Sequence, residues 1–231
     1  MAHIDKGALT RLEIVEEASK QFLDKGYSNT TMSSLAKELQ MSTGNLTFHY
    51  PTKEHLLAEL VNMLCKFQWN RMEEAADDGI SSVLAVCLEL TAMAAACEED
   101  EVIKDLLISS YTSALCLDVI RRNDTKRAKA VFRSYRTDWT DEQFCEAEIL
   151  VSGIEYSTLM TGGEPVPLET RVSGALQVIL GMYGVPPEMR EIKLQKVFAM
   201  DYRQLGAKTF REFKKFVNRS NNKAIMDLMK R

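Results

Sequence analysis

Between Leu9 and Leu23, apolar residues return every three or four positions (Leu9, Leu12, Val15, Ala18, Phe22, Leu23), with Arg11, Glu13, Glu16, Glu17 and Lys20 between them. That spacing predicts an amphipathic helix. Gly26 can take the left-handed backbone that closes such a helix, and Tyr27 can fold back as its apolar contact. Thr30 or Thr31 then offers a cap to a second helix whose buried stripe is Met32, Leu35, Ala36 and Leu39. Gln40, Met41 and Ser42 leave room only for a tight turn, with Ser42 a cap, before a third short helix from about Thr43 to Tyr50. Pro51 ends it, because proline lacks an amide hydrogen and pushes Tyr50 toward extended torsions. A long connecting helix starts near Thr52.

Two-turn helices are not stable by themselves, so the first and fourth helices must supply their core. The pattern predicts a three-helix unit over residues 1–51, docked on a larger helical domain over 52–231. Downstream, a break falls near Asp77 to Gly79, and the next helix carries Val83, Val86, Cys87, Leu90, Ala94 and Cys97 on one face. A single helix is expected from Val102 to Ile120, with Ile103, Leu107, Tyr111 and Ala114 as its stripe. Thr140 and Gln143 form a capping-box pattern that opens a helix over about 140–161. Thr161 to Pro167 reads as a loop, 168–184 as a helix, and Glu188 to Leu205 as another, followed by a basic helical tail over 205–231. There is no strand pattern and no internal repeat, so the expected fold class is all-α.

The composition agrees: 45% hydrophobic and 27% charged residues, with 11 Gly and 5 Pro, suit a helical globular chain. No secretory apolar region opens the chain, and no run reaches the ~18 apolar residues of a membrane span, which leads to the expectation of a soluble cytoplasmic protein with no membrane partner. Cys65, Cys87, Cys97, Cys116 and Cys145 are odd in number and irregularly spaced, as suits reduced core thiols. The formal net charge of −4 excludes coating of nucleic acid by bulk charge but not a few phosphate contacts. Glu73 to Asp105 is acidic apart from Lys104, whereas Arg121 to Arg136 is basic apart from Asp124; both read as solvated helix faces.

Helix, short helix, tight turn and short helix together make a helix-turn-helix, whose last helix lies in the DNA major groove. At about 100° per residue, the third helix turns Leu46 and Tyr50 inward and clusters Thr43, Gly44, Thr47 and Phe48 outward, with Asn45 to one side. Thr43, Asn45 and Thr47 are short polar side chains able to meet base edges, and Gly44 permits close approach. Phe48 and His49 suit inter-helix packing as well. Lys53, with the amides at the start of the fourth helix, can hold a phosphate. With three histidines and no paired His/Glu or Cys/His motif, no metal, cofactor or catalytic site is expected, and the chain is not read as an enzyme.

The stretch GYSNTTMSSLAKELQMSTGNLTFHYPTKEHLL resembles the N-terminal signature of the tetracycline-repressor (TetR) family over about Leu9 to Leu60. By that resemblance Thr43, Gly44, Asn45, Thr47 and Phe48 face DNA, His49 and Lys53 contact phosphate, and Thr31 does so at the start of the second helix. Thr47 stands where the family usually has tyrosine, and Pro51 where a polar residue is commoner. The resemblance further implies that the larger domain binds an effector and dimerises.

The segment ILVSGIEYSTLM within 140–160 is apolar on most faces, so it must be buried on two sides. Pairing it and 168–184 with a second copy in a four-helix bundle achieves that, and a homodimer matches a near-palindromic double-stranded operator. Leu90, Met93, Tyr111, Leu115, Tyr156 and Met160 are candidate walls of an effector pocket. Glu155, a carboxylate in an apolar helix, needs a partner, with an internal arginine favoured over a cationic ligand. The expected function is a repressor released by a small hydrophobic effector; the alternative is a DNA-bound dimer that acts through a protein partner.

Overall fold

The computed structural model describes residues 6–76, 82–162 and 166–229. The break expected at Asp77 to Gly79, and the centre of the loop expected at Thr161 to Pro167, lie outside the described residues. Among those described there are eleven helices and no strands: α1 (Lys6–Lys25), α2 (Met32–Glu38), α3 (Thr43–His49), α4 (Lys53–Ala76), α5 (Ser82–Glu99), α6 (Glu101–Thr112), α7 (Ala114–Phe132), α8 (Asp141–Met160), α9 (Leu168–Met182), α10 (Pro187–Phe198) and α11 (Tyr202–Met229).

Local chemistry sets the first four. Gly26 closes α1 at φ +92°, and a Cβ there would meet Asp105 Oδ2 at 2.7 Å. Thr31 caps α2: its Oγ1 accepts from the Ser34 amide at 3.0 Å while Ser34 Oγ accepts from the Thr31 amide at 3.1 Å. Ser42 caps α3 by accepting from the Asn45 amide at 3.1 Å. Tyr50, before proline, is extended at φ −135° and ψ 102°, and α3 stops there. Between α2 and α3 the chain turns through Gln40 at φ +53°, with the Met41 amide on Ala36 O at 2.9 Å. That helix end usually falls to glycine.

Three expected boundaries shift. The helix drawn from Val102 to Ile120 is two helices, because Ser113 is extended and its Oγ accepts from the Cys116 amide, capping α7. The phase of the stripe changes there: Tyr111 faces inward and Leu115 does not. The helix drawn from Glu188 to Leu205 likewise breaks between Phe198 and Tyr202. The basic tail proves to be the amphipathic α11, whose Phe210, Phe213 and Val217 are buried against α1, α4 and α5. Gly206 makes this approach possible, since a Cβ there would sit 2.4 Å from Ala92 O. Lys214 pairs with Asp24 of α1, so the tail is a strut on the first helix of the N-terminal unit.

At the centre lies α5, buried around almost its whole circumference, including Glu89 and Thr91 as well as Val83, Leu88 and Ala95. Helices α4, α7, α8, α9, α10 and α11 surround it, and α4 runs on from the N-terminal unit into this core. Arg127, Arg121 and Arg136 in the basic run are not on a solvated face. Arg127 faces the interior, Arg121 bonds Ser152 Oγ at 3.0 Å, and Arg136 Nε bonds Met182 O at 3.0 Å. Of the cysteines, all are free; Cys87, Cys97 and Cys116 are core thiols, Cys65 is half-buried, and Cys145 is exposed on α8.

Candidate nucleic-acid interface and buried cavity

Leu46 is fully buried under α3 and pins it to the unit, which leaves its other face to solvent. Thr43, Gly44 and Asn45 are exposed, Thr47 is half-buried, and Phe48 projects with 81% of its surface accessible. Thr47 Oγ1 donates to Gly44 O at 3.1 Å, so its lone pairs remain open to a donor. His49 packs edge-on against Phe48, with centroids 5.3 Å apart. Its Nδ1 is buried without a hydrogen-bond partner, and the ring lines a groove of about 640 Å³ between the N-terminal unit and α7. Thr31, the cap of α2, is exposed.

Lys53 is also held from within the protein. Its ammonium donates to Tyr27 O and Thr30 O at 2.8 Å each and lies 3.9 Å from the Tyr27 ring centroid. It locks the α1–α2 turn onto the start of α4 and has one N–H left for a phosphate. Burial pushes its pKa down, partly offset by Glu54 and Asp105.

A second link reaches the same turn from the core. Asp105 of α6 accepts from the Ser28 amide at 2.8 Å and from Ser28 Oγ at 2.5 Å. Six residues further along α6, about 9 Å at helical rise, Tyr111 donates its hydroxyl to Glu155 Oε2 of α8 at 2.9 Å.

That tyrosine borders one of two narrow adjoining cavities, each of about 30 Å³, enough for about two waters. The first is lined by residues including Gln68, Met93, Leu107, Tyr111 and Ile120, the second by Leu90, Phe132, Glu148 and Tyr183; Glu89, Asp124, Arg127 and Glu155 border both. Thus Leu90, Met93, Tyr111 and Glu155 line cavities as expected from sequence. Leu115 does not: it is 41% exposed and lines the groove beside His49. Nor do Tyr156 and Met160, because α8 turns Met160 outward at 47% exposure and Tyr156 borders neither cavity.

The arginine expected for Glu155 is engaged elsewhere. Arg127 pairs with Glu89 at 2.7 Å and Asp124 at 2.6 Å, and stacks on Trp69 with its guanidinium carbon 4.7 Å from the ring centroid. Among the described residues Glu155 has only the Tyr111 hydroxyl, and Glu148 only that of Tyr183. Desolvation raises all four carboxyls: Glu89 to about 7 despite Arg127, Glu148 to about 8 with Asp124 adding to the rise, and Asp124 and Glu155 upward as well. Glu89 was detectable in the sequence by the signal that exposed Glu155, a lone carboxylate in an apolar helix. Asp124 and Arg127 lay hidden in a run dominated by basic residues, and Gln68 and Asp105 carried no signal.

A family model described as bacterial regulatory proteins, tetR family, matches residues 14–60. Over 80 residues the chain is 32% identical to the uncharacterized HTH-type transcriptional regulator YuxN of Bacillus subtilis (strain 168), covering 35% of this chain and 28% of that protein. Over 51 residues it is 37% identical to the HTH-type transcriptional regulator QacR of Staphylococcus aureus, covering 22% of this chain and 27% of that protein. The chain therefore spans under a third of the length of these relatives. The structure of SmeT, the repressor of the Stenotrophomonas maltophilia multidrug efflux pump SmeDEF, superposes with a TM-score of 0.50 at 17% identity, covering 74% of this chain and 88% of that one. At that identity the likeness is one of fold.

Proposed function

We propose that this chain, which belongs to the TetR family of bacterial regulatory proteins, is a homodimeric repressor that leaves its operator when a small effector enters the cavity beside Tyr111. The observation that carries the proposal is the span of α6. One helix holds Asp105 on the turn of the DNA-binding unit and Tyr111 against Glu155 at the cavity wall. A ligand too large for a cavity of about 30 Å³ must part α6 from α8, and the shift is delivered to Ser28.

On the DNA side, Thr43, Gly44, Asn45, Thr47 and Phe48 meet the bases, while Thr31, His49 and the remaining N–H of Lys53 meet phosphates. Homodimerisation is supported by the outer face of α8 and α9, where Ile149 (53%), Leu150 (57%) and Val178 (57%) are exposed. Gly153 and Gly174 add to that face, since a Cβ at either would meet nothing within 4 Å. Burying this face against a second copy spaces two recognition helices for a near-palindromic site.

Footprinting on DNA flanking the gene tests the DNA half, with salt titration of wild type, Asn45→Ala and Thr31→Ala. Loss of Asn45 relaxes specificity at one position, whereas loss of Thr31 weakens every site and flattens the salt dependence. Equal effects of both across all sequences refute the division into base and phosphate contacts. A monomeric mass by light scattering at micromolar concentration refutes the dimer.

A further inference from the structure

The cavities hold an imbalance that none of the described residues lining them corrects. One guanidinium shares the cavities with four carboxyl groups, and its two terminal nitrogens are already engaged by two of them, Glu89 and Asp124. Glu148 and Glu155 make do with phenolic hydroxyls, which donate a hydrogen bond but carry no compensating charge. A separate group points the same way. Gln68 is only 3% exposed and lines the first cavity, yet its carboxamide has no hydrogen-bond partner among the described residues. Gln68 lines the same space as Glu155 and Tyr111, with Leu64, Met93 and Ile120 as apolar wall.

Resting on the reading of this cavity as the effector site, we propose that it takes an organic cation: a protonated amine or amidine whose N–H groups meet Glu155 and Gln68, carried on a flat apolar body. The cation replaces the neutral Tyr111 hydroxyl on Glu155 with an ion pair, supplying the compensating charge that the phenol lacks. It thereby supplies the force that separates α6 from α8. Anionic ligands are repelled by the excess of carboxylates. Among the described residues no three His, Cys, Asp or Glu side chains converge to hold a metal, which favours an organic head group over a chelated ion. The raised pKa values of Glu89 and Glu148 fit the same picture, with protons standing in for the cation while the site is empty.

The test uses the full chain and a charge ladder on one ring: benzamidine (cation), benzamide (neutral, near-isosteric) and benzoate (anion), with binding read by calorimetry and thermal unfolding. Benzamidine is expected to bind roughly tenfold or more tightly than benzamide, and benzoate not to bind. Glu155→Gln should remove most of the advantage of benzamidine, and Gln68→Leu should weaken benzamidine and benzamide together. Failure of benzamidine to bind, benzamide or benzoate binding as tightly, or an unchanged ladder in Glu155→Gln each overturn the proposal. The ladder on wild type keeps it falsifiable if a variant does not fold. Operator release is scored separately by fluorescence anisotropy. Charge-selective binding that leaves operator affinity unchanged overturns the effector-release reading and leaves the cation site standing; release by benzamide or benzoate without benzamidine binding does the reverse.

Discussion

The two sites joined by α6 treat polar groups in opposite ways. Around α3, apart from the buried Nδ1 of His49, the polar side chains are exposed or half-buried and bond locally: Ser42 caps the helix, Thr47 bonds Gly44 O, and Asn45 is exposed to whatever approaches. Little is lost by keeping that surface ready. In the cavity, Glu89, Asp124 and Glu148 are each at least nine-tenths buried, and their charge is left under-compensated. A buried charge destabilises unless it is paired or protonated, so the second site is held ready at the expense of stability. The comparison predicts that cavity substitutions change folding and its pH dependence, whereas recognition-face substitutions change DNA affinity alone.

The largest effect is expected at Arg127. Its removal in Arg127→Met strips Glu89 and Asp124 of their ion-pair partner and the Trp69 face of its cation. About 3–5 kcal/mol should be lost in urea unfolding at pH 8, the range for breaking a buried pair. The deficit should shrink toward pH 6, where orphaned carboxyls can take protons. An equal deficit at both pH values means that the arginine acts by packing alone.

Next comes Glu148, raised to about 8 by burial first and Asp124 second, with Tyr183 and Arg127 opposing. A carboxyl whose folded pKa lies above its unfolded one holds its proton better in the folded state. Its contribution is complete below about pH 4.5 and disappears as pH rises toward 8. Wild-type stability should therefore fall across that window, by about 2–4 kcal/mol if Glu148 dominates. Glu148→Gln keeps an acceptor for Tyr183 and cannot titrate, so it should flatten the decline. A decline of unchanged size assigns the titration to Glu89 or Glu155.

Asn45→Ala belongs to the other site. It should cost about 1–3 kcal/mol of operator affinity at one base position, while stability stays within about 0.5 kcal/mol of wild type. A large loss of stability here breaks the contrast from the other side.

The same contrast explains what the sequence revealed. The DNA-binding unit was legible almost to the residue, because Gly26, Thr31, Ser42 and Pro51 write its turns in local chemistry. The exception was the Gln40 turn, where a residue with no special preference for positive φ does the work of glycine. The cavity was legible only in part. Periodicity finds an apolar stripe but not what faces it: Leu115 fell in the groove because Ser113 breaks the helix, and Met160 fell on the outer face of α8. Glu155 stood out against apolar neighbours, but Tyr111, which bonds it, comes from α6, and Asp124 and Arg127, which border the same cavity, come from α7, and only the packed fold brings these together.

Ser28 lies on the link proposed between the two sites, and its effect on stability should be the smallest. Ser28→Ala removes the hydroxyl bond to Asp105 and keeps the amide bond, an exposed loss of about 0.5–1.5 kcal/mol or less. Neither operator affinity without effector nor effector affinity without operator should move far, since the hook touches neither ligand. The quantity that should fall is the coupling between them. By linkage, the factor by which effector weakens operator binding equals the factor by which operator weakens effector binding, so both must shrink together in the variant. Anisotropy titrations of operator with and without effector, and calorimetry of effector with and without operator, measure the two factors independently. If both keep their wild-type size, the α6 hook is a structural contact only, and the signal travels instead through α4, which runs unbroken from Lys53 to the cavity wall at Val61, Leu64 and Gln68.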